Sequence, residues 1–382
     1  MSRRGLIVIS AALLLAGTRA NAQGTLSTQG FGYPPGQLSS RALATGGGLG
    51  LFDTDSPLNP AAIAASSDPR VFLQYEPEFR RYSAGGASAR TTTARFPLTS
   101  ATLPMGSRGA VGLAVSTFLD RSSSTSGERA VIVGDQTATV TETVRVLGAI
   151  NDVRLAVGFA LTPKVQVGLA GHVLTGQNRI FFTQSFPDTL QFTPVAQIST
   201  LGYTGYAGSA GAVLRPSRVL VLAVSGRKGA KIRASSNDST VSEANVPDRI
   251  AAGLSYEGIT GASLSAQVAR ETWSSLNGLG SDAAAAADAW EGGVGLETAG
   301  PRIADRLLVF RLGSRYRTLP FQAADDEVSE LSFAGGIGAQ FFKNRASFDM
   351  TLQYSSRSAA AAALESARER SLTLSFGLRV RP

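Results

Sequence analysis

The only histidine of the chain, His172, is the side chain best suited to acid–base chemistry at neutral pH. Catalysis would need a nucleophile and an orienting group beside it, and a hydrolase would need a serine within hydrogen-bond reach. His172 shares one face of an alternating run with Gln166, which is typical of a polar wall residue. Neither a second histidine nor a cysteine exists to complete a metal site. The sequence therefore predicts no enzyme, no metal and no other cofactor.

Three arginines occupy the polar face of their own alternating runs. A guanidinium in this position could bind a ligand carboxylate. The candidate ligand-binding residues are therefore Arg154, His172, Arg311 and Arg315. The structural alternative is that the arginines pair with carboxylates of the chain itself, such as Asp53, Asp55 and Asp349.

Residues 23–69 are rich in glycine and show little alternation. The run Gly46-Gly47-Gly48 lacks the lysine and the strand-to-helix setting of a phosphate loop, so it indicates a bent backbone in a confined space. Asn59 is a good helix N-cap, and Pro60 suits the first helical position. We expect a helix of one or two turns from there, ending before Asp68-Pro69. Such a segment has no core of its own and must pack inside something else.

The stretch from Asp152 to Val173 is the unit from which most of the chain is built. Val153, Leu155, Val157, Phe159 and Leu161 fall on every second residue, and after Thr162-Pro163-Lys164 the alternation restarts. Strict alternation indicates a strand with one apolar face, not a helix.

Fourteen such strands follow the N-terminal segment. Short turns alternate with long connections, which is typical of an outer-membrane barrel whose long loops face outward. The predicted strands are 70–83, 88–103, 108–121, 151–162, 164–180, 199–214, 218–233, 248–259, 262–274, 288–299, 304–317, 329–342, 345–357 and 369–380. The predicted long loops are 122–150, 181–198, 234–247, 275–287, 318–328 and 358–368.

Charges test this assignment, because a charge facing lipid near the bilayer centre costs about 2–4 kcal/mol. Between 347 and 354 the apolar residues Phe348, Met350, Leu352 and Tyr354 share one face, and Asp349 lies on the other. The strand at 218–225 is apolar on both faces, so its inner face should contact a plug or an apolar ligand. The predicted fold is an all-β antiparallel transmembrane barrel of about 14 strands with an N-terminal plug in its lumen.

Composition and targeting agree with this fold. The net charge is +8, but the arginines are scattered rather than gathered into a basic patch, so nucleic acid is not an expected partner. Arg3 and Arg4, an apolar stretch from 6 to 16 and the sequence Ala20-Asn21-Ala22 predict a signal peptide over residues 1–22. We expect an exported protein of a Gram-negative-type bacterium.

The chain resembles the outer-membrane long-chain fatty-acid transporter family of the FadL/TodX type. The resemblance rests on Ser40-Arg41-Ala42, the glycines from Gly46 to Gly50, Asp55 and the triplet Asn59-Pro60-Ala61 before the first strand. Val246-Pro247-Asp248, leading into the strand from Ile250 and on to Trp273-Ser274, continues it, as does the order of the final hairpins.

The resemblance implies three domains: a signal peptide (1–22), an N-terminal hatch (23–69) inside the lumen, and a barrel (70–382). It implies that Asn59, Pro60 and Ala61 anchor the hatch to the barrel wall. It also implies a kink in the third strand, for which Gly109 and Gly112 are the candidates.

The function implied is passive uptake of hydrophobic molecules, such as long-chain fatty acids or hydrocarbons, through the outer membrane by a hatch-gated channel. The expected partners are outer-membrane lipid and a hydrophobic small molecule, and the expected state is a monomer. The alternative is an outer-membrane barrel with a structural or secretion-associated role and no transported ligand. An apolar pocket in the lumen would favour transport, and a hatch that fills the lumen would favour the alternative.

Overall fold

The computed structural model describes residues 32–84, 87–133, 136–186, 193–279, 286–303, 306–323, 326–342, 345–359 and 367–382. The predicted signal peptide (1–22) lies outside these residues. Helix α1 is Ser40–Ala44, and two short 3-10 helices span Pro60–Ala65 and Trp273–Leu276. None of the described helices is long and apolar enough to cross a bilayer.

The strands follow one another along the chain. They are β1 (Arg70–Ala84), β2 (Ala87–Arg95), β3 (Leu98–Met105), β4 (Gly109–Asp120), β5 (Ser123–Val133), β6 (Gln136–Thr162), β7 (Val165–Ser185), β8 (Val195–Leu214), β9 (Leu220–Ser236), β10 (Ser239–Asn245), β11 (Arg249–Ile259), β12 (Ala262–Glu271), β13 (Ala289–Ile303), β14 (Arg306–Ala323), β15 (Asp326–Phe341), β16 (Ala346–Ala359) and β17 (Arg368–Val380).

These strands form one closed antiparallel barrel, because β1 pairs with β17. Three barrel strands are each divided into two segments, β2/β3, β4/β5 and β10/β11. In each case a single neighbour, β1, β6 or β9, pairs with both segments. The described part of the chain therefore builds a fourteen-stranded barrel, which confirms the predicted fold class.

Alternation places apolar side chains outside and polar ones inside. Leu169 is 68% exposed and Leu312 is 63% exposed, whereas Arg154 and Arg315 are buried on the inner side of the wall. In β16 the predicted outward residues are exposed, and Asp349 faces inward. An apolar outer belt around a closed barrel is the surface of a transmembrane β-barrel, so the facing prediction is confirmed.

The predicted long loops were largely wrong. Residues 122–150 form most of a hairpin, with β5 and the first half of β6 paired from Ser123 to Val146. Likewise β7 extends to Ser185, β10 occupies part of 234–247, and β14 extends to Ala323. Outside the bilayer neither face of a strand has to be apolar, so these extensions lack the alternation on which the prediction depended.

The N-terminal segment, defined here as residues 32–69, packs against the inner faces of strands on both sides of the barrel. Helix α1 contacts β14 to β17, and the 3-10 helix at Pro60–Ala65 contacts β4, β6, β7 and β8. An apolar layer joins the segment to the wall: Leu38, Ala42, Leu43, Leu51, Leu58 and Ala61 pack against Val213, Val221, Ala223, Ala251 and Ala269. This explains why the strand at 218–225 is apolar on both faces.

Candidate functional site

The Asn59-Pro60-Ala61 triplet begins the second helical turn of the N-terminal segment, as predicted. Asn59 caps this turn, because its side-chain oxygen accepts a hydrogen bond from the Ala61 N–H at 3.0 Å. Its amide nitrogen donates to the Leu51 carbonyl at 3.0 Å and to the Ala212 carbonyl in β8 at 3.5 Å. Asn59 therefore connects the turn both to its own segment and to the barrel wall.

Glycines of the wall let this turn approach at backbone distance. A Cβ atom added to Gly168 would lie 2.3 Å from the Pro60 carbonyl carbon, and one added to Gly211 would lie 2.1 Å from Asn59 Oδ1. Both distances are shorter than any real contact of a Cβ atom. The wall of β7 and β8 is therefore shaped to receive the triplet.

The predicted bend at Gly46-Gly47-Gly48 lies against the other side of the barrel. Gly46 and Gly47 have φ angles of +59° and +85°, which L side chains rarely adopt. A Cβ on Gly46 would also lie 2.3 Å from the Ser314 carbonyl oxygen in β14. These glycines are needed both for the bend and for the close contact with the wall.

Arg311 belongs to an ion-pair chain that connects α1 to three strands. Arg41 in α1 contacts Glu297 of β13 at 2.7 Å. The same carboxylate accepts from Arg311 Nε at 2.6 Å, and Arg311 Nη1 contacts Asp349 of β16 at 2.6 Å. The structural alternative for Arg311, pairing with Asp349, is therefore what the structure shows.

A second ionic cluster surrounds Tyr33 and was missed from the sequence. The Tyr33 hydroxyl donates to Glu330 at 3.1 Å and accepts from Arg357 at 2.9 Å and from Arg317. Four guanidinium groups lie 4.6–5.5 Å from its ring centroid, those of Arg80, Arg95, Arg317 and Arg357. Arg315 lies at the edge of this cluster, 3.6 Å from Glu330. Sequence separations near 300 residues gave no local signal for it.

His172 lies within a line of hydrogen bonds across β6, β7 and β8. Its Nδ1 is 2.9 Å from Asp152 Oδ1, and its Nε2 is 2.8 Å from Ser209 Oγ. The serine that a hydrolase would require is thus within reach of the histidine. An oxyanion hole would also need free N–H donors beside Ser209, but β8 is paired with β7 and β9 through this region. These hydrogen bonds are therefore typical of polar side chains that pair across neighbouring strands of the barrel wall. Asp152 also accepts from Gln37 of the N-terminal segment at 3.0 Å.

Arg154 differs from Arg311 and Arg315 because it forms no ion pair with any carboxylate of the described residues. Its Nε and Nη2 atoms are buried without a hydrogen-bond acceptor among the described residues. The candidate ligand-binding set is thus divided: Arg311 and Arg315 join separate ionic clusters, and Arg154 neighbours His172 in the register of β6 and β7.

The predicted kink at Gly109 or Gly112 stays a prediction. The register of β4 against β3 and β6 is regular through both glycines. The register shift lies between Thr117 and Leu119, and β4 ends at Asp120 before β5 begins. The third barrel strand is therefore interrupted at the C-terminal end of β4, which is the end away from the short turn between β3 and β4.

An apolar cluster lies inside the barrel on the side of the long hairpins. Trp273 stacks on Phe118 with ring centroids 5.2 Å apart and meets Phe321 edge-on at 6.1 Å. Both Trp273 and Leu276 of the 3-10 helix are buried there, although this helix follows the end of β12. A cavity of about 40 Å³, lined in part by Phe118, Trp273 and Leu58, separates the cluster from the N-terminal segment. The sequence analysis did not single out this site, since its aromatic residues come from distant strands.

The Asp53 carboxylate of the N-terminal segment has a pKa below its ordinary value. Burial raises this pKa, but the charges of Arg41 and Arg379 and hydrogen bonds from Ser39 and Ser56 lower it by more. The Ser39 and Ser56 hydroxyls donate to Asp53 Oδ2 at 2.5 and 2.9 Å. Asp53 is therefore held ionised inside the segment.

The overall fold is similar to that of several solved proteins. A Pseudomonas aeruginosa FadL homologue superposes with a TM-score of 0.60, at 13% identity, over 92% of this chain and 99% of that one. The Pseudomonas putida toluene transporter TodX gives 0.57 at 13% identity over 93% and 100% of the two chains. The protein has a FadL-type barrel fold. The CymD monoaromatic hydrocarbon channel gives 0.54 at 12% identity over 90% of this chain and 97% of its own.

No protein-family model and no curated protein sequence matches the chain. At 12–13% identity the likeness to solved structures concerns the FadL-type fold and not individual residues. TodX and CymD are named as a transporter and a channel, not as enzymes. In the described ranges, no group of three acidic or histidine side chains could hold a metal ion.

Proposed function

We propose that this protein is an outer-membrane channel for the passive uptake of hydrophobic molecules, with residues 32–69 as its hatch. The observation that carries the proposal is the buried cluster of Phe118, Trp273 and Phe321 inside the barrel. A water-filled pore gains nothing from an apolar interior, whereas a path for hydrocarbons or acyl chains requires one. TodX and CymD, which share the FadL-type fold, are named for toluene and monoaromatic hydrocarbons, and this supports the same ligand class here.

The hatch role is supported by the contacts of the N-terminal segment. It reaches from Gly168 and Gly211 on one side to Ser314 on the other, so it crosses the bore. Passage then requires the segment, or part of it, to move. We also propose that the barrel acts as a monomer within outer-membrane lipid, since the apolar outer belt faces lipid around the closed ring.

The alternative function, a structural or secretion-associated barrel without a ligand, has one observation in its favour. The cavity beside Trp273 is about 40 Å³, which is room for a few water molecules and not for an acyl chain. Under the transport proposal, a ligand must therefore displace part of the cluster, and the residues around Trp273 are the first to be displaced.

Fluorescence quenching separates the two functions. The chain has two tryptophans, Trp273 inside and Trp290, which is 53% exposed on the outer face. In the Trp290→Phe protein, embedded in nanodiscs, Trp273 is the only emitter. We expect 9,10-dibromostearic acid or 4-bromotoluene to quench it saturably, because bromine quenches indole at contact distance. Which probe saturates at lower concentration distinguishes fatty acids from aromatic hydrocarbons.

The matched control is Trp273→Phe, in which only Trp290 emits and quenching should rise without saturation, as the probes partition into the lipid. Equal, unsaturable quenching of both proteins would contradict the transport proposal and favour the structural role. Uptake of the better probe into proteoliposomes, compared between the wild type and Trp273→Ala, then tests passage itself.

A further inference from the structure

The guanidinium of Arg154 is a buried charge that no carboxylate contacts among the described residues; the negative charge that acts on it is that of Asp152, two positions away in β6. The residue is 3% exposed, and its Nε and Nη2 atoms have no acceptor among the described residues. The nearest carboxylate along the strand, Asp152, is already engaged by His172 and Gln37. Leaving a buried charge unpaired costs several kcal/mol, so this position calls for an anion.

Arg154 lines a small space between the N-terminal segment and the wall. The space measures about 20 Å³ and is bounded by Thr54 and Ile63 of the segment and by Thr102 and Gly112 of β3 and β4. It exists because residue 112 has no side chain. A volume of this size holds one water-sized species.

Hydroxyl groups supply further donors around this space. Ser100 and Thr102 line it with their hydroxyl-bearing side chains. Thr54 also lines it, and its oxygen accepts from Arg70 at 2.6 Å, which leaves its own hydrogen free to donate. One guanidinium with several hydroxyls around a single small volume is a donor set for an anion.

Asp55 is the one carboxylate on the lining. Its Oδ2 accepts from the Arg379 guanidinium in β17, and its Oδ1 has no hydrogen-bond partner among the described residues. The nearby Asp53 accepts from Ser39 and Ser56 through its Oδ2. Arg154 is the one arginine on the lining.

We propose that Arg154, with Ser100, Thr102 and Thr54, binds one small monovalent anion between the N-terminal segment and the third barrel strand. The anion is a free ion of the size of chloride, and it bridges the segment to the wall. The site does not depend on the proposed transport function, because anion binding is measured without a hydrophobic ligand.

Thermal unfolding of the purified chain in detergent tests the site. At constant ionic strength, sodium gluconate, whose anion is too large for the space, is replaced by sodium chloride, bromide or acetate. We expect the midpoint to rise with the concentration of the small anion, since a ligand of the folded state stabilises it. We expect a response to chloride and bromide and a weaker one to acetate, which is larger than the space; a stronger response to acetate would contradict the proposal.

Two variants keep the outcome interpretable. Arg154→Gln keeps polar donors without the charge and should abolish the anion dependence of the midpoint. Gly112→Ala keeps the charge but fills the space: its Cβ would lie 3.4 Å from Ile63 Cδ1 and 3.6 Å from Thr102 Oγ1, which are ordinary contacts. It should weaken the apparent affinity at least about tenfold. Gly127→Ala, where nothing lies within 4 Å, is the matched glycine control and should respond like the wild type.

The proposal is wrong if the wild type shows no anion dependence, or if Arg154→Gln retains it. Crystals soaked in sodium bromide give an independent test, in which an anomalous peak should lie within hydrogen-bond distance of Arg154 Nε or Nη2. A space occupied by water alone would give no peak and would overturn the proposal. The fluorescence test of the transport function is unaffected by either result.

Discussion

Pro60 and Gly168 meet backbone against backbone, with room for no side chain between them. A Cβ atom on Gly168 would lie 2.3 Å from the Pro60 carbonyl carbon and 2.5 Å from the Ala61 nitrogen. Both are backbone atoms, so neither can move away without a shift of the main chain. The helical turn at Pro60–Ala65 can therefore pack on β7 only because residue 168 has no side chain.

We expect Gly168→Ala to detach the helical turn from the wall without unfolding the barrel. Overpacking of this kind costs about 1–3 kcal/mol, and the turn is the element that can yield. Limited proteolysis should cleave the chain within residues 32–69 faster in this variant. Gly171→Ala on the same strand, where nothing lies within 4 Å, should behave like the wild type. Equal cleavage of the two variants would show that the contact does not hold the segment.

Substitution of Asn59 should weaken the same attachment by a different route. Asn59→Ala removes the cap of the 3-10 helix and both amide donations, and we expect a loss of about 1–2 kcal/mol in the free energy of unfolding of the segment. Asn59→Asp keeps the acceptor for the Ala61 N–H but loses the donations to Leu51 and Ala212. Hydrogen exchange of residues 59–65 should be faster in both variants than in the wild type, because Asn59→Asp also places a buried charge against the Leu51 and Ala212 carbonyls.

Acid should weaken the segment through Asp53. Its folded pKa lies below the ordinary value of 3.8. Its stabilising contribution is therefore complete above that value and is lost as the pH falls through the folded pKa. We expect the wild type to unfold at a higher temperature than Asp53→Asn at pH 6, and the difference to shrink as the pH falls below about 4.

Asp55 provides the opposite control. Burial raises its pKa above the ordinary value despite the charge of Arg379, so the folded state favours its protonated form. The wild type should then gain stability relative to Asp55→Asn as the pH falls through the raised pKa. The same sign of change in both variants would contradict the assignment of the two carboxylates.

Tyr33 should fix the beginning of the N-terminal segment to the wall. Tyr33→Phe keeps the ring against the four guanidinium groups but removes the hydroxyl shared by Glu330, Arg317 and Arg357. Hydrogen bonds to charged groups contribute about 1.5–3 kcal/mol. We expect faster hydrogen exchange at residues 33–37 in Tyr33→Phe, and faster still in Tyr33→Leu, which also loses the cation–π contacts. Unchanged exchange in both variants would show that the cluster stabilises the barrel wall and does not hold the N-terminal segment.

Ser209 should be chemically inert despite its hydrogen bond to His172. Because its strand offers no oxyanion hole, a fluorophosphonate probe should leave the folded protein unlabelled, and Ser209→Ala should hydrolyse 4-nitrophenyl esters no more slowly than the wild type. Labelling of the wild type that is lost in both Ser209→Ala and His172→Gln would identify a nucleophile and overturn this interpretation. His172→Gln is nevertheless expected to loosen Gln37, since Asp152 loses its oriented partner.

Alternation in the sequence predicted the orientation of the wall because lipid imposes it. Phe348 and Asp349 are assigned correctly for this reason, as is the inward side of Arg154. Beyond the bilayer the outer face of a strand no longer has to be apolar, so alternation no longer predicts its orientation. Val140 is buried within the hairpin from Ser123 to Val146, yet its surroundings alternate too weakly to separate a strand from a loop.

Contacts inside the barrel could be predicted only where a short sequence motif encodes the local backbone conformation. Asn59-Pro60 and the glycines at 46–48 have local roles in capping and bending, so they could be assigned. The clusters around Tyr33 and Trp273 bring together side chains from strands at opposite ends of the chain, and no single stretch encodes them. Glycine marks close approach as well as bending: a Cβ atom on Gly112 would lie 3.4 Å from Ile63 Cδ1, so Ile63 packs directly over this glycine.

The first and last strands of the barrel, β1 and β17, pair with each other beside helix α1. Ser40 contacts Ser375 of β17 at 2.8 Å, across a separation of 335 residues, and β17 then pairs with β1. Strand β17 thus closes the ring and also contacts helix α1, so a substitution at Ser375 should disturb the seam and the N-terminal segment together.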